Sequence, residues 1–276
     1  MLTLDKIYHA AYVLRDVVRK TDLILAPHLN PDCELYLKTE NLQTTGSFKV
    51  RGAYYKISQL SDEEKSKGVI ACSAGNHAQG VALAAAKHGM KALICIPDGA
   101  PISKVEATKR YGADVCLVKG VYDDAYQKAC ELQQESGSTF IHPFNDEDVI
   151  AGQGSIGLEL LDQLPELDAV IVPIGGGGLI GGVAFAIKSL RPSKLFSKSD
   201  VRSCATVQTF ITSISGAIEV EPSTIIVPFG LNETNVLAFP TATYCFSTIS
   251  CPINDLCICN LQDDHLPSLW IVRMNR

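Results

Sequence analysis

From about residue 34 to Leu190 the chain alternates short runs of β-branched and apolar residues with longer stretches of helical periodicity. Few folds accept that alternation. Parallel strands need crossover connections, and a helix is the usual crossover, so the pattern predicts an α/β fold built on parallel strands. The runs expected as strands are 34–38, 68–72, 91–97, 114–119, 139–142 and 168–174. Ahead of them, Ile7, Ala11, Leu14 and Val18 draw one apolar stripe at helical spacing and predict a helix over 4–19. In open α/β sheets the active groups lie beyond the carboxyl ends of strands. The loops after Lys38, Cys72 and Ile174 are therefore the places to search.

With 276 residues the chain is long enough for one large α/β domain or two smaller ones with a cleft. Its 24 basic and 30 acidic residues give a net charge of −6 with no long run of either sign. No electrostatic footprint for nucleic acid or an anionic membrane follows from that, and the expected partner is a small molecule. The start, Met-Leu-Thr-Leu-Asp-Lys, lacks a basic stretch followed by an apolar core, and no apolar run is long enough to span a bilayer. A cytoplasmic protein is expected. Its ten cysteines are scattered, and several sit in apolar strand-like runs where a thiol behaves as a small hydrophobe, so they read as reduced thiols.

The first of the three loops is Thr44-Thr45-Gly46-Ser47-Phe48-Lys49, a turn that delivers a lysine at the start of a helical pattern over 48–60. A helix N-terminus already carries partial positive charge, so a lysine there is electrostatically misplaced. That field and partial burial favour a neutral amine able to form an imine with an aldehyde cofactor. The competing reading is a solvated surface lysine. In the second loop, Ser73-Ala74-Gly75-Asn76-His77-Ala78-Gln79-Gly80, a strand end opens a helix. Its N–H groups and Asn76 can grip a carboxylate or a phenolic oxygen; an ordinary cap by Ser73 or Asn76 is the alternative. The third, Pro173-Ile174-Gly175-Gly176-Gly177-Gly178-Leu179, places four glycines between an apolar strand and a helix over 180–190. Such a run is expected where backbone must approach a phosphate closely. Gly176, Gly178 and Gly181 also satisfy the dinucleotide spacing, with Asp200 near the expected acid position. An NAD-binding oxidoreductase is thus a rival, although it leaves the loops at Lys49 and Asn76 without a role.

Taken together, these loops resemble the fold-type II pyridoxal-phosphate enzymes, and most closely their threonine and serine dehydratases (ammonia-lyases). Leu37-Lys38-Thr39-Glu40-Asn41 leads into Thr45-Gly46-Ser47-Phe48-Lys49, followed by Ser73-Ala74-Gly75-Asn76-His77 and Gly175-Gly176-Gly177-Gly178-Leu179. Gly99-Ala100-Pro101-Ile102-Ser103-Lys104 and Ile150-Ala151-Gly152-Gln153-Gly154-Ser155-Ile156-Gly157 match as well. The resemblance covers about residues 1 to 196, in the right order and spacing.

It implies pyridoxal 5'-phosphate as cofactor, held by Lys49 as a Schiff base, with Phe48 beside it and Asn76 on the ring's phenolic oxygen. Gly175, Gly176, Gly177, Gly178 and Leu179 would wrap the phosphate. Ser73, Ala74, Gly75, Asn76 and His77 would receive the substrate carboxylate, and no metal is implied. The implied activity is deamination of L-threonine, and of L-serine, to 2-oxobutanoate or pyruvate and ammonia, within amino-acid metabolism and isoleucine biosynthesis. Serine racemases of the family carry a second Ser where Ala74 stands, so Ala74 points to elimination over racemisation. Cysteine-synthase relatives differ in the phosphate loop. The implied architecture is two open α/β lobes with the cofactor between them, in a homo-oligomer. The small lobe takes 46–144, and the large lobe takes 1–45 and 145–196.

Beyond Phe196 the character of the chain changes. No Lys or Arg occurs between Arg202 and Arg273, and only two of the 21 glycines lie there. Neither helical nor strand periodicity persists, and the resemblance ends. The expectation for 197–276 is a tail foreign to the fold, as a shift of reading frame would leave it, with the large lobe incomplete. The alternative function is accordingly a truncated, catalytically impaired member of the same family. Cys257, Cys259 and His265 match no standard zinc spacing.

Overall fold

The computed structural model describes residues 1–27, 33–173, 175–191, 225–228 and 269–274. In chain order its elements begin with α1 (Leu4–Leu14), β1 (Leu23–Leu25), β2 (Cys33–Lys38), α2 (Lys49–Ser58), α3 (Asp62–Lys67), β3 (Val69–Cys72) and α4 (Asn76–Lys87). They continue through β4 (Ala92–Pro97), α5 (Ile102–Arg110), β5 (Asp114–Val118), α6 (Tyr122–Ser136), β6 (Thr139–Phe140) and α7 (Glu147–Gln163). The last are β7 (Ala169–Val172), α8 (Gly178–Leu190), β8 (Ile225–Pro228) and β9 (Leu269–Met274). The α/β class expected from the alternation is the class observed. Helix α1 stops at Leu14 rather than running to residue 19, and the Leu14 carbonyl accepts the amides of both Val17 at 2.9 Å and Val18 at 3.0 Å in the turn that follows.

Contacts divide the chain into two compact units. One comprises Met1–Arg19 and Leu42–Ser155. Its four-stranded sheet has the order β5-β4-β3-β6, and every pair is parallel. Strand β3 is buried along its whole length, as a parallel strand covered on both faces must be. Alternation sorts its side chains: Val69 and Ala71 join Ile57, Val81 and Ile94 on one face, while Ile70 and Cys72 join Cys95, Ala125 and Ala129 on the other. Cys72, Cys95, Cys116 and Cys130 are free thiols, and burial pushes Cys72 up to about 11 and Cys95 up to about 12.

Helix α2 is gripped from two sides in this unit. A Cβ on Gly152 of α7 would lie 2.6 Å from the Gly52 Cα and from the Arg51 carbonyl oxygen, so the two helices meet backbone to backbone. Beside that contact the fully buried Arg51 donates to Ser155 Oγ at 3.1 Å and to the Arg19 carbonyl at 3.3 Å.

The other unit comprises Lys20–Asn41 and Ile156–Arg276. Its five-stranded sheet has the order β1-β2-β9-β7-β8, and every pair is antiparallel. Here the sequence expectation of parallel pairing is corrected. Strands β2 and β7 do not pair with each other, since β9 lies between them, and periodicity within a strand says nothing about its partner's direction. Two tail segments are therefore strands: Ile-Ile-Val-Pro and Leu-Trp-Ile-Val-Arg-Met are short β-branched and apolar runs that carry strand propensity without long periodicity. The remaining tail, including Asp200, Cys257, Cys259 and His265, lies outside the described residues. A buried lysine closes the unit's interior: Lys38 Nζ donates to the Thr21 carbonyl at 2.6 Å, to Glu159 at 2.6 Å and to Gln163 Oε1 at 2.8 Å. Among the described residues no helix is long and apolar enough to cross a membrane.

Candidate active site

Lys49 is the first residue of α2, as its place after a Gly-bearing turn predicts. The turn before it is tightly built. Gln43 Oε1 accepts the amides of Thr44 at 2.8 Å and Arg19 at 2.7 Å, Thr45 takes a left-handed φ of 70°, and Ser47 Oγ accepts the Lys49 amide at 3.3 Å. Phe48 sits at the helix cap without a side-chain capping bond, its ring centroid 5.4 Å from Lys49 Nζ. The half-buried Lys49 donates from Nζ to the Pro143 carbonyl at 2.8 Å. Burial disfavours the charged amine and brings its pKa down to about 8. A half-buried amine with a main-chain acceptor does not match a fully solvated surface lysine.

In the same unit, β3 ends at Cys72 and the loop that follows opens α4. The Ser73 amide donates to the Cys95 carbonyl at 3.2 Å, and Ser73 Oγ accepts the Gly75 amide at 3.2 Å. Gly75 is the cap residue and brings no side-chain bond, so neither Ser73 nor Asn76 caps the helix. The first-turn N–H groups are left for another acceptor. Ser73, Ala74, Gly75 and Asn76 are half-buried, and His77 is buried. Its Nε2 meets the Ile141 carbonyl at 2.9 Å, while Nδ1 has no hydrogen-bond partner among the described residues. Burial, and then the charge of Lys49, lower the His77 pKa to about 3. Helix α4 reaches α2 at Gly80, where a Cβ would stand 3.1 Å from the Val50 nitrogen and 3.2 Å from the Lys49 carbonyl carbon. That close approach brings the Lys49 and Asn76 loops together.

The glycine run belongs to the other unit. Gly175 and Gly176 are exposed, Gly177 caps α8 with a left-handed φ of 86°, and Gly178 and Leu179 are buried in the first turn. No side chain caps this helix, and a Cβ on Gly175 would meet nothing within 4 Å. Ile174 lies outside the described residues. A dinucleotide fold requires a parallel strand beside β7 after the helix. The strands that pair with β7 after α8 are β8 and β9, and both are antiparallel.

Two residues that do not stand out in the sequence complete the surroundings of Lys49. Pro143 contributes a main-chain oxygen, which no side-chain pattern can signal. His142 Nδ1 accepts the amides of Phe144 at 3.3 Å and Asn145 at 2.8 Å.

Comparison with known proteins gives the chain named relatives. The L-threonine ammonia-lyase of Thermotoga maritima is 53% identical over 194 residues, which cover 70% of this chain and 48% of that protein. The catabolic L-threonine dehydratase TdcB of Escherichia coli is 49% identical over 194 residues, covering 70% of this chain and 59% of that protein. The chain thus spans about half the length of the relatives it matches. Among solved structures, maize serine racemase superposes with a TM-score of 0.68 at 37% identity, covering 81% of this chain and 68% of that one. The family model described as pyridoxal-phosphate dependent enzyme matches residues 14–241, and the chain belongs to that family.

Proposed function

We propose that this chain carries the site of a threonine ammonia-lyase: it deaminates L-threonine, and L-serine, by β-elimination of water, giving 2-oxobutanoate or pyruvate and ammonia. The observation that carries the reading is the Lys49 amine, desolvated and held at the start of α2 beside the uncapped start of α4. The relatives named as threonine ammonia-lyase and catabolic threonine dehydratase support the substrate. They favour a degradative setting over isoleucine synthesis.

The residues present fit pyridoxal phosphate. An amine with a pKa of about 8 is neutral in about a tenth of molecules at pH 7, far more than an ordinary lysine, and the neutral form is the one that bonds to an aldehyde. Helix α8 starts with uncapped N–H groups behind glycines, which suits a phosphate. Lys49 would bind the aldehyde carbon with the Phe48 ring near its amine, Asn76 would face the phenolic oxygen, and Gly175 to Leu179 would take the phosphate. When bound, the cofactor acts as the electron sink for charge developing at the substrate Cα.

The rest is work for the chain's own groups. The N–H groups opening α4, from Ser73 to His77, orient the substrate carboxylate at the positive end of the helix. Lys49, with its amine free and neutral, would take the Cα proton of the bound substrate. Ala74 offers no hydroxyl to return a proton on the opposite face, which favours elimination over racemisation. Residues 46–144 are read as the small lobe, a reading supported by the compact unit to which Leu42–Ser155 belongs. The test is direct: purified full chain, pyridoxal phosphate and L-threonine, with 2-oxobutanoate followed by its absorbance as a hydrazone. Cofactor binding without 2-oxobutanoate or pyruvate formation overturns the proposal.

A further inference from the structure

The peptide unit between Pro143 and Phe144 touches Lys49 at one end and His142 at the other. Its carbonyl oxygen accepts from Lys49 Nζ at 2.8 Å, and its N–H donates to His142 Nδ1 at 3.3 Å. No peptide in the described chain is cis, so these two groups point in opposite directions from one rigid plane. The Asn145 amide adds a second, shorter bond of 2.8 Å to the same nitrogen. An Nδ1 that accepts two N–H groups carries no proton, which places the ring's single hydrogen on Nε2. The Phe144 ring stands edge-on to the imidazole, 4.6 Å between centroids at 89°, and Phe140 tilts against it at 6.4 Å. The next residue, Asp146, is fixed as well: its Oδ1 accepts the Asp148 amide at 2.8 Å, and its Oδ2 pairs with Lys56 at 2.9 Å.

We infer that His142 is a positioning residue for Lys49: its neutral imidazole pins the 143–145 turn, which aims the Pro143 carbonyl at the lysine amine. The inference rests on reading Lys49 as the cofactor lysine, and it says where that amine is kept whenever it has no other bond. A lysine stem has four rotatable bonds, and a free amine on it explores a wide volume. A carbonyl held from behind removes that freedom without adding a charge, so it restrains the amine in its neutral form as well as its charged one. A carboxylate in the same place would stabilise the ammonium and raise its pKa. The charged and titratable groups that act on His142 are Asp146, Lys49 and His77. Burial, the largest influence, keeps the proton off the ring, and Lys49 adds to it while Asp146 opposes. Protonation at Nδ1 would expel both amides and release the turn.

The experiment measures the Lys49 amine itself in the full chain without added cofactor, by competitive acylation across pH 6 to 10 with peptide mapping. In the wild type the acylation midpoint at Lys49 is expected near pH 8. In His142→Ala the turn opens to water, and the midpoint should rise by about one unit, a tenfold change in acid constant. In His142→Asn it should stay near the wild-type value, because an Asn oxygen accepts the amides two and three residues on, as in an Asx turn. An unmoved midpoint in His142→Ala, or His142→Asn behaving like His142→Ala, overturns the inference. A wild-type measurement covers the case in which His142→Ala does not fold. The ¹⁵N shifts of Phe144 and Asn145 should titrate together with His142, below its ordinary 6.5, and insensitivity of both amides is equally fatal. Borohydride reduction with pyridoxal phosphate separates the two readings. An adduct on another lysine, with the Lys49 midpoint still dependent on His142, removes the cofactor role and leaves the positioning role standing.

Discussion

His77 Nε2 donates to the Ile141 carbonyl oxygen at 2.9 Å, so a buried imidazole on α4 is tied to the segment that follows β6. A carbonyl only accepts, and Nε2 must therefore carry the proton. Nδ1, buried without a partner among the described residues, is then an acceptor. This bond joins the Asn76 loop to the same 141–145 segment that meets Lys49, and it fixes both in a single protonation state.

Acid should break that state. The folded chain holds the His77 pKa near 3, mainly by burial, against an ordinary 6.5. A depressed base contributes stability that is fully present above 6.5 and is lost as the pH falls toward 3. For a side chain only 3% exposed the loss amounts to a few kcal/mol. Thermal melts from pH 7 to 4 should therefore steepen for the wild type and flatten for His77→Asn. Parallel profiles for the two proteins would show that His77 does not carry the effect.

Lys49→Ala should remove both the visible absorbance of bound pyridoxal phosphate and the adduct trapped by borohydride. Peptide mapping checks the second point in the wild type. Because the wild-type amine is half neutral near pH 8, the rate of adduct formation should climb across pH 7 to 9 and then level. A rate still rising steeply at pH 10 would mean an ordinary, solvated amine.

Ala74 stands in the half-buried loop before α4 without a proton to give. Ala74→Ser places a hydroxyl there and should raise racemisation of L-serine relative to pyruvate formation. Chiral chromatography of the residual serine, set against pyruvate release, gives the ratio. A ratio equal to that of the wild type counts against any role for this position in partitioning.

The two glycine contacts on α2 should respond differently to alanine. A helix interior gains up to about 1 kcal/mol when Gly becomes Ala, while overpacking costs about 1–3 kcal/mol. At Gly80 the nearest backbone atoms lie 3.1 and 3.2 Å from the new Cβ, so the terms nearly cancel, although Lys49 must shift slightly. At Gly152 they lie at 2.6 Å, and the clash wins. Urea denaturation should show Gly152→Ala markedly destabilised and Gly80→Ala close to neutral, with the cofactor absorbance of Gly80→Ala altered. The reverse order of stabilities would contradict the contact geometry.

The local structure at the strand ends was legible in the sequence because it depends on local rules. A lysine after a Gly-bearing turn, a polar loop opening a helix and a run of glycines each leave a mark within a few residues, and α2, α4 and α8 begin where those marks stand. The parallel sheet of β3, β4, β5 and β6 was legible for a similar reason, since each strand is followed by its own crossover helix or loop. The sheet of β1, β2, β7, β8 and β9 was not. Its pairing joins segments far apart in the chain, and an apolar run such as Ile225 to Pro228 is compatible with many partners. His142 and Pro143 escaped notice because one acts through a carbonyl and the other through backbone amides, and neither act has a residue signature.

The grip on α2 has one more consequence. Gly152 on α7 and Gly80 on α4 allow the helix backbone no room, and Arg51 ties it further. Only the side chain of Lys49 is then left to adjust, and Pro143 meets even that at its tip. The conformational entropy lost in ordering the Lys49 side chain is thus given up once, when the chain folds, and is not lost anew each time a ligand meets its amine.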